Sequence, residues 1–569
     1  MQTRLIRIVP AALGFAALAL GACQAASEEP APETQATGAP VPEAPPPATE
    51  VPAEKKVAVF IFTEEFDTLN PHYSNMFFSI VTDQLWNVWP WQFDDTNTPY
   101  PVMLTEMPSV ENGGVSEDGT VLTMKLRDDL TWSDGEPLTA ADFVFTYRMI
   151  VDPNNAVNSA YPYDTEIASV EAPDERTVVV TFNQAFIPWA ANLWKGLLPE
   201  HILGPVFEAE GTLDNAEWNT APTVSAGPFV FAEWESGSFA RFVANDNYWL
   251  GRPLLDEVFI RFVPDDASQI NALVAGDADL GTFFAYPDVP TLEDAGIELI
   301  TVQSGYNEGW FPYLGETGHP AMQDVRVRQA LAMGFDRAAI NSDLLLGLTR
   351  PAATYWDNTP FANPSVQPWP FDPERAAALL DEAGWVDSNG DGTRDKDGVE
   401  LVLTYGTTTR EIRQDTQAVA QQQLAEIGIG LELSNADADT FFASYGDGGP
   451  AATGQFDIME WSDSTNFPDP DWYYWLCSEI PSDDYPDGGN WQAICDEQLD
   501  GWFQQQLSET DPEKRMEIFH QISLYMFDQV YWLGLWQDPD LWGISGRLSN
   551  VSLSGVTPFF SIAEWDLTP

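Results

Sequence analysis

The sequence predicts a mixed fold, α/β or α+β. Its 569 residues have the length of one very large domain or of two to four ordinary ones. Hydrophobic residues make up 44% of the chain, which is enough to build cores. Runs typical of strands alternate with runs typical of helices, and this alternation indicates lobes that combine sheets and helices.

Short apolar or β-branched runs predict the strands. In the run 122–126 apolar side chains alternate with polar ones, which is typical of a strand with one buried face. The run 177–182 is rich in Val and Thr, which favour strands. The predicted strands lie at 57–62, 122–126, 177–182, 258–263 and 401–405.

Helices are predicted where start and stop residues enclose a longer run. Thr139 is a favourable N-cap for a helix over 140–148, and Pro153 limits its length. Gly276, Gly384 and Gly428 follow three further runs, and glycine commonly ends a helix. The predicted helices lie at 140–148, 265–275, 325–335, 375–382, 413–426 and 512–528.

The amino terminus carries an export signal. Two arginines precede an apolar run over 8–20, which is too short to span a bilayer but has the length of a signal-peptide core. The run leads into Leu-Gly-Ala-Cys, which resembles a bacterial lipoprotein signal in which Cys23 is lipidated; an ordinary signal peptide with an accidental Cys is the alternative. We predict a signal over 1–22 and, over 23–56, the lipidated Cys and a disordered tether rich in Pro, Ala and Glu.

The charge balance narrows the classes of partner. The chain has 24 Lys and Arg against 88 Asp and Glu, a formal net charge of −64. Phosphate backbones are bound by clustered Lys and Arg, so nucleic acid is not expected as a partner. Docking on an anionic bilayer through basic patches is not expected either, and the lipid would be the only link to a membrane. The 22 Trp, 17 Tyr and 33 Phe suggest an aromatic-lined binding surface.

Two cysteines remain besides Cys23. Cys477 and Cys495 are close in sequence in a chain that is expected to be exported, so a disulfide is the predicted state. A reactive pair is the alternative, but no His lies nearby in sequence to activate a thiolate.

One acidic segment has the spacing of a calcium-binding loop. Oxygen-bearing side chains occupy positions 1, 3, 5 and 9 with Gly at position 6, and position 7 would offer a backbone carbonyl. Position 12 is Gly398 rather than the usual Glu. A structural calcium ion and a metal-free acidic hairpin are both open; no other cofactor is expected. The five candidate ligands are Asp387, Asn389, Asp391, Thr393 and Asp395.

Several longer blocks follow one another in a characteristic order. The block 132–146 reads WSDGEPLTAADFVFT, and the block 324–337 reads DVRVRQALAMGFDR. Together these blocks resemble the oligopeptide/dipeptide/nickel extracellular solute-binding family of ABC importers, and the resemblance covers 57–569. The remaining blocks lie at 227–229, 245–249, 253–258, 275–280, 382–385 and 424–429.

The resemblance implies a two-lobed, periplasmic-binding-protein-like fold in which ligand is trapped between lobes that close about a hinge. An extra subdomain would be inserted in the first lobe. Gly305 and Gly309 suit the crossover between the lobes. By analogy the first lobe comprises 57–96, 223–303 and 530–569, the insert comprises 97–222, and the second lobe comprises 304–529.

The resemblance also suggests ligand-binding residues. In peptide-binding relatives a carboxylate that follows a Trp in the second lobe binds the peptide amine, which suggests Trp461 and Asp463 here. The spacing differs from the family pattern, because Asp463 follows Trp461 by two residues rather than three, and alignment on the later Asp-Pro pair selects Asn466 instead. Both assignments, and a turn-forming role for Asp463, stay open. Aromatic candidates near the expected cleft, each of which could equally be structural, are Tyr73, Tyr306, Trp310 and Trp356.

The predicted function is that of a lipid-anchored, extracytoplasmic receptor, monomeric and not an enzyme. It would capture di- or oligopeptides and deliver them to an ABC permease whose cytosolic ATPases drive import. A non-peptide solute, such as an oligosaccharide or a metal chelate, is the alternative for the same role. A secreted hydrolase with an aromatic cleft is less favoured, because the sequence has no His-Glu-x-x-His, Gly-x-Ser-x-Gly or phosphate-loop motif.

Overall fold

The computed structural model describes residues 55–568 apart from 75, 464–466, 471–472 and 487. The strands are β1 (Val57–Phe62), β2 (Trp91–Phe93), β3 (Pro99–Pro101), β4 (Val121–Lys125), β5 (Ile167–Asp174), β6 (Thr177–Phe182), β7 (Phe229–Glu235), β8 (Phe239–Ala244), β9 (Glu257–Phe262), β10 (Leu280–Thr282), β11 (Glu298–Val302), β12 (Asn307–Pro312), β13 (Asp395–Lys396), β14 (Val399–Glu400), β15 (Val402–Thr408), β16 (Gly430–Ala436), β17 (Ile458–Asp463), β18 (Leu533–Gln537), β19 (Asp540–Ile544), β20 (Leu548–Ser549) and β21 (Asp566–Leu567).

The helices include every one that the sequence predicts. They are α1 (Phe77–Trp86), α2 (Ala140–Val151), α3 (Trp189–Asn192), α4 (Glu200–Glu210), α5 (Asp266–Ala275), α6 (Val289–Asp294), α7 (Val325–Gly334), α8 (Arg337–Ala339), α9 (Pro373–Ala383), α10 (Glu411–Glu426), α11 (Ala438–Phe441), α12 (Glu497–Leu507) and α13 (Pro512–Gln529). None of the helices in the described ranges is long and apolar enough to cross a bilayer.

The first lobe is built on a seven-stranded sheet in the order β11-β19-β10-β1-β9-β8-β7. Strand β1 lies at its centre and pairs in parallel with both β9 and β10. Strands β9, β8 and β7 form an antiparallel meander, and β19 runs antiparallel to β10 and β11. A core of apolar side chains, including Phe60, Trp86 and Trp542, packs against this sheet.

The second lobe is built on a five-stranded sheet in the order β16-β15-β17-β12-β18. Strands β15, β16 and β17 are parallel to one another, and β12 runs antiparallel to both β17 and β18. Because β18 belongs to this sheet, residues 530–537 belong with the second lobe. The chain re-enters the first lobe only after 537, which moves the boundary predicted at 530.

The inserted region has a sheet and a core of its own. Strands β4, β6 and β5 form an antiparallel sheet, and α2 packs on β5 and β6. Helix α2 begins at the predicted cap: the Thr139 side chain accepts from the Ala141 amide, and the Asp142 carboxylate accepts from the Thr139 amide. This reciprocal capping is why the sequence predicted the start of the helix correctly.

Candidate functional site

The carboxyl ends of the parallel strands define one edge on each sheet. In the first lobe β1, β9 and β10 all end at one edge, at Phe62, Phe262 and Thr282. In the second lobe β15 and β17 likewise end together, at Thr408 and Asp463. Ligands of open α/β sheets bind outside such carboxyl edges, so these two edges are where a site is expected.

Two short crossovers bring these edges together. Residues 303–306 join the end of β11 to the start of β12, and residues 538–539 join the end of β18 to the start of β19. The antiparallel pairing of β19 with β10, and of β12 with β17, puts both crossovers on the carboxyl edges. The edges therefore face each other across a two-stranded hinge, and the space between them is the candidate binding cleft.

Contacts across the hinge centre on Asp538. Its amide donates to the Tyr306 carbonyl at 2.9 Å, so the two crossovers are hydrogen-bonded to each other. The hydroxyl of Tyr286, from the first lobe, donates to the Asp538 carboxylate at 3.1 Å. The Arg410 guanidinium of the second lobe lies 3.6 Å from the same carboxylate. One carboxylate thus contacts both lobes.

Asp540 follows Asp538 by two residues. Burial raises the pKa of Asp540 to about 7, and the negative charge of Asp538 contributes to this rise.

Asp463 and Trp461 lie at the carboxyl end of β17, next to a hinge strand. Asp463 pairs in register with Asn307 of β12 and is half-buried. The Tyr355 hydroxyl donates to its carboxylate at 2.7 Å. The Trp461 ring is 8% exposed and stacks on Phe311 with the ring centroids 3.7 Å apart. The alternative residue, Asn466, lies outside the described residues.

Two of the predicted aromatic ligands are core residues. Trp310 is 2% exposed; it stacks on Phe335 and donates from Nε1 to the Tyr405 hydroxyl at 2.7 Å. Trp356 is fully buried and packs edge-on against Phe519. Both rings fill the interior of the second lobe, and neither presents a surface to the cleft in this structure.

Tyr73 and Tyr306 are more accessible. Tyr73 is half-buried, and its hydroxyl donates to Asp214 at 2.9 Å. This contact joins the segment after β1 to the inserted region and raises the pKa of Tyr73 above its ordinary value, with burial as the larger cause. Tyr306 is half-buried in the first crossover, and its carbonyl accepts from Asn358 as well as from the hinge. Of the two, Tyr306 lies directly beside the cleft.

A buried ionic cluster beneath the second-lobe edge was not predicted from the sequence. Glu308 and Glu460 are fully buried on neighbouring strands, and Arg413 binds Glu308 through two hydrogen bonds of 2.8 and 3.0 Å. Burial and the nearby Glu308 raise the pKa of Glu460 well above its ordinary value, and Tyr405 donates to it. A signal existed in the sequence, since both glutamates interrupt apolar strands.

The acidic hairpin over 387–398 is held by its own backbone. The Asp387 carboxylate accepts from the amides of Gly390 and Gly392, and the Asp395 carboxylate accepts from Ser388. Within the described ranges, no three His, Cys, Asp or Glu side chains converge as metal ligands would. Of the other candidates, Asn389 and Asp391 bond to each other, and Thr393 donates its amide to Asp391. The donor set therefore does not fit a formed calcium site.

The predicted disulfide is present in the structure. Cys477 and Cys495 form a disulfide across a sequence separation of 18 residues. The bond closes the loop that precedes α12, and the Cys477 amide also donates to Asp500 within that helix. Cys23, with the predicted signal and most of the tether, lies outside the described residues.

Comparisons with known proteins agree with this architecture. The sequence profile of the bacterial extracellular solute-binding proteins, family 5 Middle, matches residues 98–480, which is more than half of the chain. The oligopeptide-binding protein AppA of Bacillus subtilis is 32% identical over 333 residues, 56% of this chain and 58% of AppA. The di/tripeptide-binding protein 2 of Pseudomonas aeruginosa is 25% identical over 465 residues, 76% of this chain and 82% of that protein.

Solved structures show the same fold with different ligands. AppA of Bacillus subtilis in complex with a nonapeptide superposes with a TM-score of 0.70 at 24% identity, over 90% of this chain and all of AppA. NikZ of Campylobacter jejuni in complex with Ni(L-His) superposes with a TM-score of 0.73 at 21% identity and the same coverage. The two-lobed architecture is therefore shared by proteins that bind peptides and by one that binds a metal complex.

Proposed function

The chain belongs to the bacterial extracellular solute-binding proteins of family 5, and from this premise we propose that it captures peptides in the cleft between its lobes and delivers them to the permease of an ABC importer. The family is one of binding proteins, so we assign no reaction to it. The observation that carries the proposal is the cleft itself, where the carboxyl edges of two sheets meet at a hinge beside Asp463. The named relatives AppA and di/tripeptide-binding protein 2 support peptide as the solute.

The chemistry of the cleft suits an extended peptide. Backbone amides and carbonyls at the strand ends can pair with a peptide backbone without reading its sequence. A peptide amine enclosed between lobes needs a carboxylate, since an unpaired buried ammonium is costly. We assign this role to Asp463, which Tyr355 orients, and we assign Trp461 the role of an apolar wall beside it.

A metal complex is the second candidate, because NikZ shares the fold. Histidine is the commonest side chain at such sites, and this chain has four. Three of them bond to other protein groups: His201 to the Asp134 carboxylate, His319 to the Glu400 carbonyl and His520 to the Ala362 carbonyl. His72 is half-buried, and the partial exclusion of water from its ring lowers its pKa to about 4. These contacts favour a peptide over a metal complex.

The location follows from the family and the predicted signal. The family is extracytoplasmic, and we propose that lipid on Cys23 anchors the chain to a bacterial membrane. The residues after Cys23 would then act as a tether of about 30 residues that lets a monomeric body reach its permease. Globomycin, which blocks lipoprotein signal cleavage, should cause an unprocessed precursor to accumulate. A Cys23→Ser variant that still partitions into the membrane fraction would contradict the anchor.

The solute is tested by native mass spectrometry of the body expressed from residue 27, with identification of whatever is released on denaturation. Short peptides are the expected cargo.

Isothermal titration should then show that N-acetylation of a bound peptide and the Asp463→Asn substitution each weaken binding at least about tenfold, since a hydrogen bond to a charged group contributes about 1.5–3 kcal/mol. Asp277→Asn, an exposed acid at the opposite sheet edge, is the matched control. A released sugar or chelate would overturn the peptide assignment.

A further inference from the structure

A second feature of the carboxyl edge is an open cavity of about 840 Å³ in the first lobe. Its apolar lining comes from Phe66, Met76, Phe231 and Trp234, and its acidic lining includes Glu65 and Asp67. None of these residues was singled out by the sequence. The cavity is large enough to hold a long side chain together with water.

The cavity opens on the same edge as the hinge. Glu65, Phe66 and Asp67 follow directly after the carboxyl end of β1. Trp234 lies at the carboxyl end of β7, which runs in the same direction as β1 because β7 and β9 are each antiparallel to β8. Strand β7 is the edge strand farthest from the hinge strand β11, so the cavity lies at the distal end of the cleft.

The Glu65 and Asp67 carboxylates in the cavity accept hydrogen bonds from uncharged donors. Glu65 accepts from the Trp234 Nε1 at 2.7 Å and from the Gly237 amide at 2.8 Å. Asp67 accepts from the Thr68 amide and the Ser79 hydroxyl. In the part of the chain that the structure describes, neither carboxylate has a Lys, Arg or His within ion-pair distance. A third lining acid, Glu233, differs because Arg241 lies 3.1 Å from it.

We propose that this cavity binds a basic side chain of the captured peptide, an ammonium or guanidinium group on an apolar stem; the proposal rests on the peptide-binding function. The stem would lie against Phe66, Met76 and Trp234, and the cation would reach Glu65 and Asp67. A purely apolar side chain would bury these carboxylates without compensating their charge, and an acidic one would be repelled.

The strand spacing indicates how far this subsite lies from the hinge beside Asp463. Neighbouring strands lie about 4.8 Å apart, and β7 is five positions from the hinge strand β19, so the cavity lies about 24 Å from the hinge strand. An extended chain spans that distance in about seven residues. The preferred basic residue is therefore several positions away from the amino end of the ligand.

The test is a calorimetric scan with heptapeptides. Each peptide carries one lysine at a different position in a neutral background, and its partner carries the neutral isostere norleucine there. We expect a lysine at one distal position to bind about fivefold more tightly than norleucine at low salt, and this preference to shrink at high salt. Asp67→Asn should reduce the preference, and the control Asp277→Asn should retain it. Asp67→Asn can keep both hydrogen bonds, because both end on Oδ1.

The outcomes separate this inference from the function on which it rests. If none of the heptapeptides binds, the peptide-binding proposal fails and the subsite fails with it. If the peptides bind but lysine and norleucine are equivalent at every position, only the subsite is wrong. If Asp277→Asn reduces the lysine preference as much as Asp67→Asn does, the preference comes from the net charge of the protein and the cavity has no such role. An unchanged circular dichroism spectrum and an unchanged urea-denaturation midpoint verify that the variants are folded.

Discussion

The buried pair of Glu308 and Arg413 gives the sharpest stability prediction. The carboxylate is fully buried and the guanidinium side chain is 9% exposed, and two hydrogen bonds join them. Arg413→Met removes the cation and leaves the Glu308 charge in the core. Such a change typically costs about 3–5 kcal/mol. We expect the lower end of that range, because Arg410 lies 3.9 Å from Glu308 and can compensate in part.

The double variant tests the reasoning. Glu308→Met combined with Arg413→Met removes both charges and keeps side chains of similar length, and replacing a buried pair in this way is often neutral or stabilising. Burial is the largest cause of the raised pKa of Glu460, so burial also disfavours a charge on this neighbour in the double variant. The double variant should therefore be more stable than either single variant, with a coupling energy of about 3 kcal/mol.

The measurement is urea denaturation followed by tryptophan fluorescence, with the slope of the transition compared between variants. The loss of unfolding free energy caused by Arg413→Met should also be smaller at pH 5 than at pH 8. Burial raises the pKa of Glu308, so in the variant the folded state holds a proton on Glu308 at pH values where the unfolded chain has released it. The stability of the variant therefore falls as the pH rises through this range. A cost for Arg413→Met below about 1 kcal/mol would refute this account, since the pair would then behave like a solvated one.

Four further predictions follow from single features. Burial raises the pKa of Asp540 to about 7, so stability should fall between pH 4 and 7; Asp540→Asn should remove that slope and add about 2–4 kcal/mol at pH 8, as measured by urea denaturation. Replacing Cys477 and Cys495 by Ala should cost about 3 kcal/mol in the same assay, from the entropy of an opened loop. Thr139→Ala should cost about 1 kcal/mol, and Thr139→Ser much less. Millimolar Ca²⁺ should leave the melting temperature unchanged, because the oxygens of the loop 387–398 bond to the loop itself; a gain near 2.7 kcal/mol would indicate a site filled at 100 times its Kd.

Local signals account for what the sequence predicted correctly. The helix after Thr139 begins at a capping box, and α5 ends at Gly276 with φ of 76°, a conformation that glycine adopts without strain. Such features involve residues that are near one another in sequence. The boundary at 530 could not be located in this way, because whether β18 pairs with β12 or with a first-lobe strand depends on long-range contacts.

Aromatic composition did not indicate which rings would lie at the cleft, for a related reason. The supply of large rings suggested a binding surface, yet Trp310 and Trp356 lie in the second-lobe cores. The residues that the structure describes form five separate apolar clusters rather than one, and each cluster contains large aromatic or aliphatic side chains. Composition gives the number of aromatic rings, but which rings lie at the cleft depends on the tertiary structure.

The placement of the charges shows how one architecture can serve different solutes. Around the hinge, Asp538 contacts both lobes through Tyr286 and Arg410. The groups that we assign to the ligand are instead at strand ends, Asp463 on one lobe and Asp67 on the other. Substitutions at strand ends can leave the sheets and the hinge intact, so ligand preference can change while the two-lobed architecture is retained. A fold shared by a nonapeptide complex and a Ni(L-His) complex is what this separation of hinge from ligand groups would produce.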